Sequence, residues 1–443
     1  IYENSNEYKE VNIKIERKTT IKRAKMMEIN SIIEKKENNL ENSFDEIQFM
    51  VMGFVHGKIS KEDMTRYIKA IFENSMSHQE IFDLTSVMTN SGDILKFDTN
   101  DGVFADKHST GGVSDSTTLI IAPIIALSGI KFMKMSGRKL GHTGGTIDKI
   151  EQFKGFKTNL TLQQAKQVVK EHGACIIAQT ADLAPADKHL YKLRDETGYV
   201  MSLPLIASSV MSKKLACGSD VIVLDIKCGN GAFMKNIGEA TALAKIMVEI
   251  GKNAGKKIAA VVSDMNQPLG HNVGSYLETI EAIEVLEGKI GRLRDLSIIL
   301  ASKIIELGKN ISFEDAKNET LEYLNSGKAL QKLKEIISAQ GGDLSLFDKN
   351  YREHSLQNKV EILSDRDGII SNIDCTKLGF LCRDYCKIET NKGLTLHKSL
   401  GESVKRGEKL ITLYGKETDL DFNSVFGIDD NKVKTKLVYE IVK

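Results

Sequence analysis

The run VIVLDI at Val221–Ile226 decides the fold. Apolar residues follow one another there without the alternation of a half-exposed strand, and IAAVV at Ile258–Val262 has the same texture. Such runs belong to strands buried on both faces, as in a parallel sheet covered by helices. Outward from them, Gly102–Asp106, Phe132–Met135 and Ala174–Ile177 are further candidate strands, each before a turn. Helical patterns near 116–128, 161–171, 236–254 and 275–286 alternate with them. That rhythm predicts an α/β fold with a mixed, largely parallel sheet.

The flanks differ. From Ile29 to about Gly92 apolar residues recur at helical spacing (Ile47, Phe49, Met50, Val51, Phe54; Met64, Tyr67, Ile68, Ile71), which predicts a small all-α domain over 26–92. Ser43 with Glu46 and Ser60 with Asp63 are helix-start signals. A second α stretch, about 185–216, interrupts the strand series and is expected to rejoin this domain in space. The α/β domain then comprises 93–184 and 217–359, and a β-rich pattern from 360 to 443 predicts a C-terminal α+β lobe. Residues 1–25 are polar and basic, lack the apolar segment of a secretory signal, and are expected to form a disordered arm.

Composition excludes several classes. The 61 Lys+Arg and 60 Asp+Glu nearly cancel, so no broad positive field is available for nucleic acid, and any anion site must be local. Cys175, Cys217, Cys228, Cys375, Cys382 and Cys386 form no zinc-type spacing and are expected as reduced thiols. The longest apolar run, Leu119–Leu127, is far shorter than the ~20 residues a membrane helix needs. A cytoplasmic enzyme is the expected setting.

Three segments carry chemistry. DKHSTGGV at Asp106–Val113 lies between a strand and a helix, where converging backbone N–H groups, a helix N-terminus and Lys107 suit phosphate. Alone, it reads equally well as a plain strand-to-helix turn. SGRKLGHTGGT at Ser136–Thr146 is a second such loop, and two glycine- and hydroxyl-rich loops at strand ends can face one anion. Its hydroxyls also suit ordinary turn and helix capping. In the third segment Ser209 and Lys213 stand four apart on a helical pattern, and Arg194 precedes Pro204; together they would offer donors to a small polar ligand, whereas the Ser/Lys pair alone reads better as a solvated charged helix.

SGRKLGHTGGTIDKIE at Ser136–Glu151 resembles the signature of the thymidine/pyrimidine-nucleoside phosphorylase family, and KHSTGGVSD, DLAPADK, SLPLIASSVMSKKLA, DIKCGNGAFM and SDMNQPLG follow in family order. The resemblance runs from about Met26 to the C-terminus. It implies reversible phosphorolysis of uridine, thymidine or deoxyuridine with inorganic phosphate as co-substrate and no required cofactor. It assigns Lys107, Ser109, Thr118, Ser136 and Thr146 to phosphate, and His108, Arg194, Ser209 and Lys213 to the pyrimidine. His108, Arg194 and Lys213 are the implied catalytic groups, with Leu140 and Phe233 as apolar walls of the base pocket. Lys134 resembles the lysine of the broad-specificity members and implies tolerance of a ribose 2′-hydroxyl; it also reads as a strand-end cap. A monovalent cation, K+, is implied near Ser114, Ser116, Leu269, Asn272 and Glu281. A homodimer and closure of the α domain onto the α/β domain are implied as well.

The sequence departs from the family pattern in places. Ser114 and Lys139 stand where glycine is common, Asn230 replaces a usual serine, Tyr199 in ETGYV is bulkier than expected, and Leu381–Thr395 lacks the usual glycines. Substrate preference and efficiency are open on this account. A strict thymidine phosphorylase is the nearest alternative. A phosphoribosyltransferase of the same type of fold, resembling anthranilate phosphoribosyltransferase, would need acidic magnesium-holding residues beside a glycine-rich loop, and none is seen in these segments. A non-catalytic nucleoside-binding protein is the remaining alternative.

Overall fold

The structure is a computed structural model that describes residues 29–138, 141–180, 182–387 and 392–443, without the side chain of residue 99. The expected arm at 1–25, Lys139 and Leu140 lie outside the described residues. Contacts divide the chain into two compact units, one running to Gly92 and including Ala184–Ser212, the other made of Asp93–Leu183 and Lys213–Lys443.

Among the described residues the first unit is helical throughout. Ile29–Glu37, Phe44–Val55, Lys61–Asn74 and His78–Thr89 are joined by Pro185–Thr197 and by most of Leu203–Ala216. Ser43 and Ser77 each close a capping box with the glutamate three residues on, and Ser60 accepts the Asp63 N–H. The apolar faces meet in a core of Ile47, Met50, Val51, Met64, Tyr67, Ile68 and Ile71. One ion pair is sealed inside: Lys36 Nζ lies 2.7 Å from Glu80 Oε2, and Glu80 also accepts the Asn42 N–H. A buried carboxylate is tolerable only with such partners.

The second unit is built on β1 (Phe104–Ser109), β2 (Lys131–Ser136), β3 (Ala174–Ala178), β4 (Val221–Cys228) and β5 (Lys257–Asp264). Further along come β6 (Asn272–Val273), β7 (Lys359–Leu363), β8 (Gly368–Ile373), β9 (Gly393–Leu396), β10 (Ser403–Val404), β11 (Lys409–Tyr414), β12 (Phe426–Asp429) and β13 (Val438–Val442). The main sheet has the order β13-β5-β4-β1-β2-β3, with β1 to β5 parallel and β13 antiparallel on β5. All eight residues of β4 are buried, as its unalternated run requires. The helix Thr117–Leu127, apolar on every side, is buried from Thr117 to Ile125 with Pro123 inside it.

The C-terminal stretch carries two antiparallel sheets, β10-β8-β12 and β6-β9-β11-β7. A boundary at 360 nevertheless cuts through both kinds of sheet, because β6 joins the C-terminal strands while β13 returns to the main one. The pairing is non-local and leaves no mark on periodicity, and 360–443 belongs to the same compact unit as the parallel sheet.

Candidate active site

The carboxyl ends of β1, β2 and β4 feed three loops that pack together. A Cβ at Gly111 would lie 3.6 Å from the Thr143 methyl group and 3.8 Å from the Phe233 ring. His142 joins the last two loops, its Nε2 standing 2.8 Å from Gly231 O. At Gly112 a Cβ would meet Met265 Cε at 2.5 Å, so a side chain there would require the end of Met265 to move. Phe233, read from sequence as a pocket wall, thus stands over the turn that follows Lys107.

Successive β1 residues point to opposite faces. On one face Lys107, 1% exposed, donates to Thr117 Oγ1 at 2.8 Å and lies 3.7 Å from Asp115 and 3.6 Å from Asp225. Lys227 completes this group, 2.7 Å from Asp225 and 3.6 Å from Asp115, and Ser263 Oγ donates to Asp225. Ser109 Oγ donates to Asp115 Oδ2 at 2.8 Å. Burial opposes ionisation of Asp115, but Lys107, Lys227 and Lys149 outweigh it and hold the carboxyl well below its usual range. Thr118 is buried in the first turn of the helix after β1, Ser136 ends β2, and Thr146 opens the helix Thr146–Ile150.

The other face of β1 holds a second charged group. Asp106, fully buried, is 2.7 Å from Lys214 Nζ and 3.4 Å from Lys134 Nζ. Lys134 also donates to Lys107 O at 2.5 Å. Burial pushes the Lys134 ammonium down to about 8; Asp106 resists this, while Lys214 and Lys107 reinforce it. His108 is driven well below 6.5 by burial first, then by Lys214, Lys134, Lys107 and Lys213, so it is a neutral imidazole at neutral pH.

Arg194 and Ser209 belong to the first unit, and Lys213 is the first residue of the second stretch of the other unit. Ser209 and Lys213 share the helix Leu203–Ala216. The Arg194 guanidinium, 3% exposed, donates to the carbonyls of Tyr199 at 3.2 Å, Leu205 at 3.1 Å and Val200 at 2.5 Å, and burial pushes it down to about 10. It therefore braces the 199–205 segment, a task that spacing alone did not suggest. Tyr199, the bulky departure, packs its ring 5.4 Å from Phe72.

Two other departures have structural roles. Asn230 accepts the Cys375 N–H at 2.9 Å and donates to Ile373 O at 2.8 Å, bonds a serine is too short to duplicate. Ser114 adopts φ 60°, where a side chain costs about 1 kcal/mol, and its hydroxyl accepts the Gly270 N–H. Sequence reading did not single out Asp115, Asp225, Lys227, Asp106 and Lys214. The available signal was charge inside apolar strands: Asp225 and Lys227 share one face of VIVLDIKC and could be buried only with partners.

By fold and loop architecture the second unit is a glycosyltransferase-type α/β domain: residues 101–330 match the model of the glycosyl transferase family, a/b domain. Anthranilate phosphoribosyltransferase from Thermus thermophilus has a similar fold, with a TM-score of 0.57 at 16% identity over 70% of this chain and 99% of that one. Pyrimidine-nucleoside phosphorylases from Staphylococcus haemolyticus and Bacillus subtilis are 41% and 42% identical over 405 residues, covering 89% of this chain and 94% of each relative. The Staphylococcus aureus protein of that name is 40% identical over 94% of this chain and its own full length. The chain belongs to the pyrimidine-nucleoside phosphorylase family and is thereby a pentosyltransferase enzyme. Among the described residues no helix is long and apolar enough to cross a membrane.

Proposed function

We propose that this chain catalyses reversible phosphorolysis of pyrimidine nucleosides, releasing the free base from uridine, thymidine and deoxyuridine and forming α-ribose 1-phosphate or its 2-deoxy counterpart. Family membership sets the reaction class, and the observation that carries the reading is Lys107, buried at the β1 carboxyl end with the Thr117 hydroxyl at 2.8 Å and the carboxylates of Asp115 and Asp225 within 3.7 Å. Lys107, Ser109, Thr118, Ser136 and Thr146 are assigned to phosphate. Lys134, His108, Leu140, Arg194, Ser209, Lys213 and Phe233 are assigned to the nucleoside. The protein is read as a cytoplasmic homodimer.

In the forward step a phosphate oxygen bonds to C1′ while the C1′–N1 bond breaks and its electron pair leaves with the pyrimidine, whose anion becomes the free base by taking up the proton that the new phosphate ester gives up. Attack from the face opposite the base inverts the β-anomer to the α-product. The phosphate dianion stabilises positive charge growing on the sugar, and Arg194 and Lys213 stabilise negative charge growing on the base. His108 is neutral, so its contribution is an imidazole N–H hydrogen bond to O2 rather than an imidazolium proton. The rate profile should therefore show no limb from His108 near the ordinary imidazole value of 6.5. A limb there that His108→Gln removes would reject the neutral-donor role. The implied K+ is not needed for these steps, since no attacking water must be activated.

Chromatographic detection of free base from uridine, thymidine and deoxyuridine, with and without inorganic phosphate, tests the reaction. Phosphate-dependent release is expected from all three. Release from thymidine alone would mark a strict thymidine phosphorylase, and no release from any would favour a binding protein.

A further inference from the structure

Glu281 lies on the helix Ser275–Leu286 and is 2% exposed. Its Oε1 accepts the His271 N–H and its Oε2 the Asn272 N–H, both at 2.9 Å. The same loop is tied to the turn after β1: Leu269 N–H donates to Val113 O at 3.2 Å, and Gly270 N–H to Ser114 O at 3.3 Å and to Ser114 Oγ at 3.1 Å. Glu281 thus pins residues 269–272 against the loop that follows Lys107. The packing is closed, because a Cβ at Gly270 would meet Glu281 Oε2 at 2.3 Å and Ser114 Oγ at 2.6 Å.

A carboxylate removed from water needs a positive partner. The resemblance would supply it as a monovalent cation held by Ser114, Ser116, Leu269, Asn272 and Glu281. The Ser114 carbonyl and hydroxyl each accept from Gly270, both Glu281 oxygens accept backbone N–H groups, and Asn272 Oδ1 accepts the Thr395 hydroxyl, so each oxygen keeps only part of its acceptor capacity for a cation. Of the oxygens considered, Ser116 Oγ is the one buried without a hydrogen-bond partner among the described residues.

The positive charge comes from the chain itself. Gly288, at φ 113°, turns the backbone just past the helix end, and the Lys289 N–H returns to Glu284 O at 2.8 Å. This sets Lys289 Nζ 3.3 Å from Glu281 Oε1 and 2.8 Å from Glu284 Oε2. An ammonium at a helix C-terminus also meets the negative end of the helix dipole.

We infer that Lys289 is the built-in counter-charge of Glu281 and takes the place of a monovalent cation, so that this protein holds its phosphate loop and turns over without potassium. The turnover part rests on the proposed phosphorolysis; the loop part does not.

The test compares the full chain with its Lys289→Met variant in potassium, sodium and tetramethylammonium chloride at equal ionic strength. Thermal midpoint and initial rate of phosphate-dependent uracil release are read in each salt. The unaltered protein should have one midpoint and one rate in all three. Lys289→Met should melt lower in tetramethylammonium, by about 1–3 °C, and recover in potassium. Lys289→Arg, which keeps the charge, should remain indifferent to the salt and stands in if the methionine variant does not fold. Potassium dependence of the unaltered protein or of Lys289→Arg, no change in Lys289→Met, or a loss in Lys289→Met that potassium does not restore would each overturn the inference. Absence of uracil release in every salt would instead refute the phosphorolysis, and the midpoints would still judge Lys289.

Discussion

Lys107→Met should lower kcat/KM for phosphate by roughly 10²–10³-fold, the range seen when one preorganised charge or donor is removed from a buried site. Methionine fills nearly the same space, so the change isolates the ammonium. In the folded protein that ammonium stands within 3.7 Å of two carboxylates, Asp115 and Asp225, and donates to Thr117. Without it, Lys227 is the ion-pair partner left to both Asp115 and Asp225, with Lys149 acting on Asp115 from further off, and the buried excess of negative charge repels phosphate as well as straining the fold. Breaking a buried ion pair typically costs about 3–5 kcal/mol, so the variant should also melt lower. The two effects separate in steady-state kinetics with phosphate as the varied substrate, run below the variant's melting range. Unfolding removes active molecules and leaves the phosphate KM alone, whereas loss of the phosphate contact raises it. A folded Lys107→Met enzyme with an unchanged phosphate KM would remove Lys107 from the phosphate site.

The parallel sheet was legible because burial on both faces writes itself into composition. VIVLDI and IAAVV lie inside β4 and β5, each of which runs on at an end by one or two polar or small residues. The helix expected at 161–171 was legible for the related reason that one face of a surface helix must be apolar: of Leu162–His172, Ala165 and Val169 are the residues buried. Long-range pairing was not: nothing in LVYEIVK distinguishes a strand that joins β5 from one that joins its C-terminal neighbours. At the site, the loops announced themselves through glycines, but the ionic groups behind them did not. Asp106 looked like the last residue of a strand and proved to be the carboxylate shared by Lys134 and Lys214. Arg194 shows the same limit, since spacing gives its place on a helix and not the three carbonyls it meets.

Lys134→Met should reduce kcat/KM for uridine by about 10–100-fold, the value of one charged hydrogen bond, and leave deoxyuridine within a few-fold. The proposed role is recognition of the ribose 2′-hydroxyl, which deoxyuridine lacks. Asp106 keeps Lys214 at 2.7 Å in the variant, so its charge is not stranded and the fold should survive. The pH dependence gives an independent check. The Lys134 ammonium is held down to about 8, so it is charged below that value and neutral above it. As the pH rises from about 7 to about 9, the uridine-to-deoxyuridine ratio of kcat/KM should fall, because the charged donor is lost for the substrate that uses it. Lys134→Met should begin at the low ratio and stay there. Using the ratio cancels every titration common to both nucleosides, including that of phosphate, which leaves the 2′-hydroxyl contact as the quantity measured. A ratio that is flat in the unaltered enzyme, or one that still falls in Lys134→Met, would assign sugar discrimination to another residue and leave Lys134 as a counter-ion of Asp106.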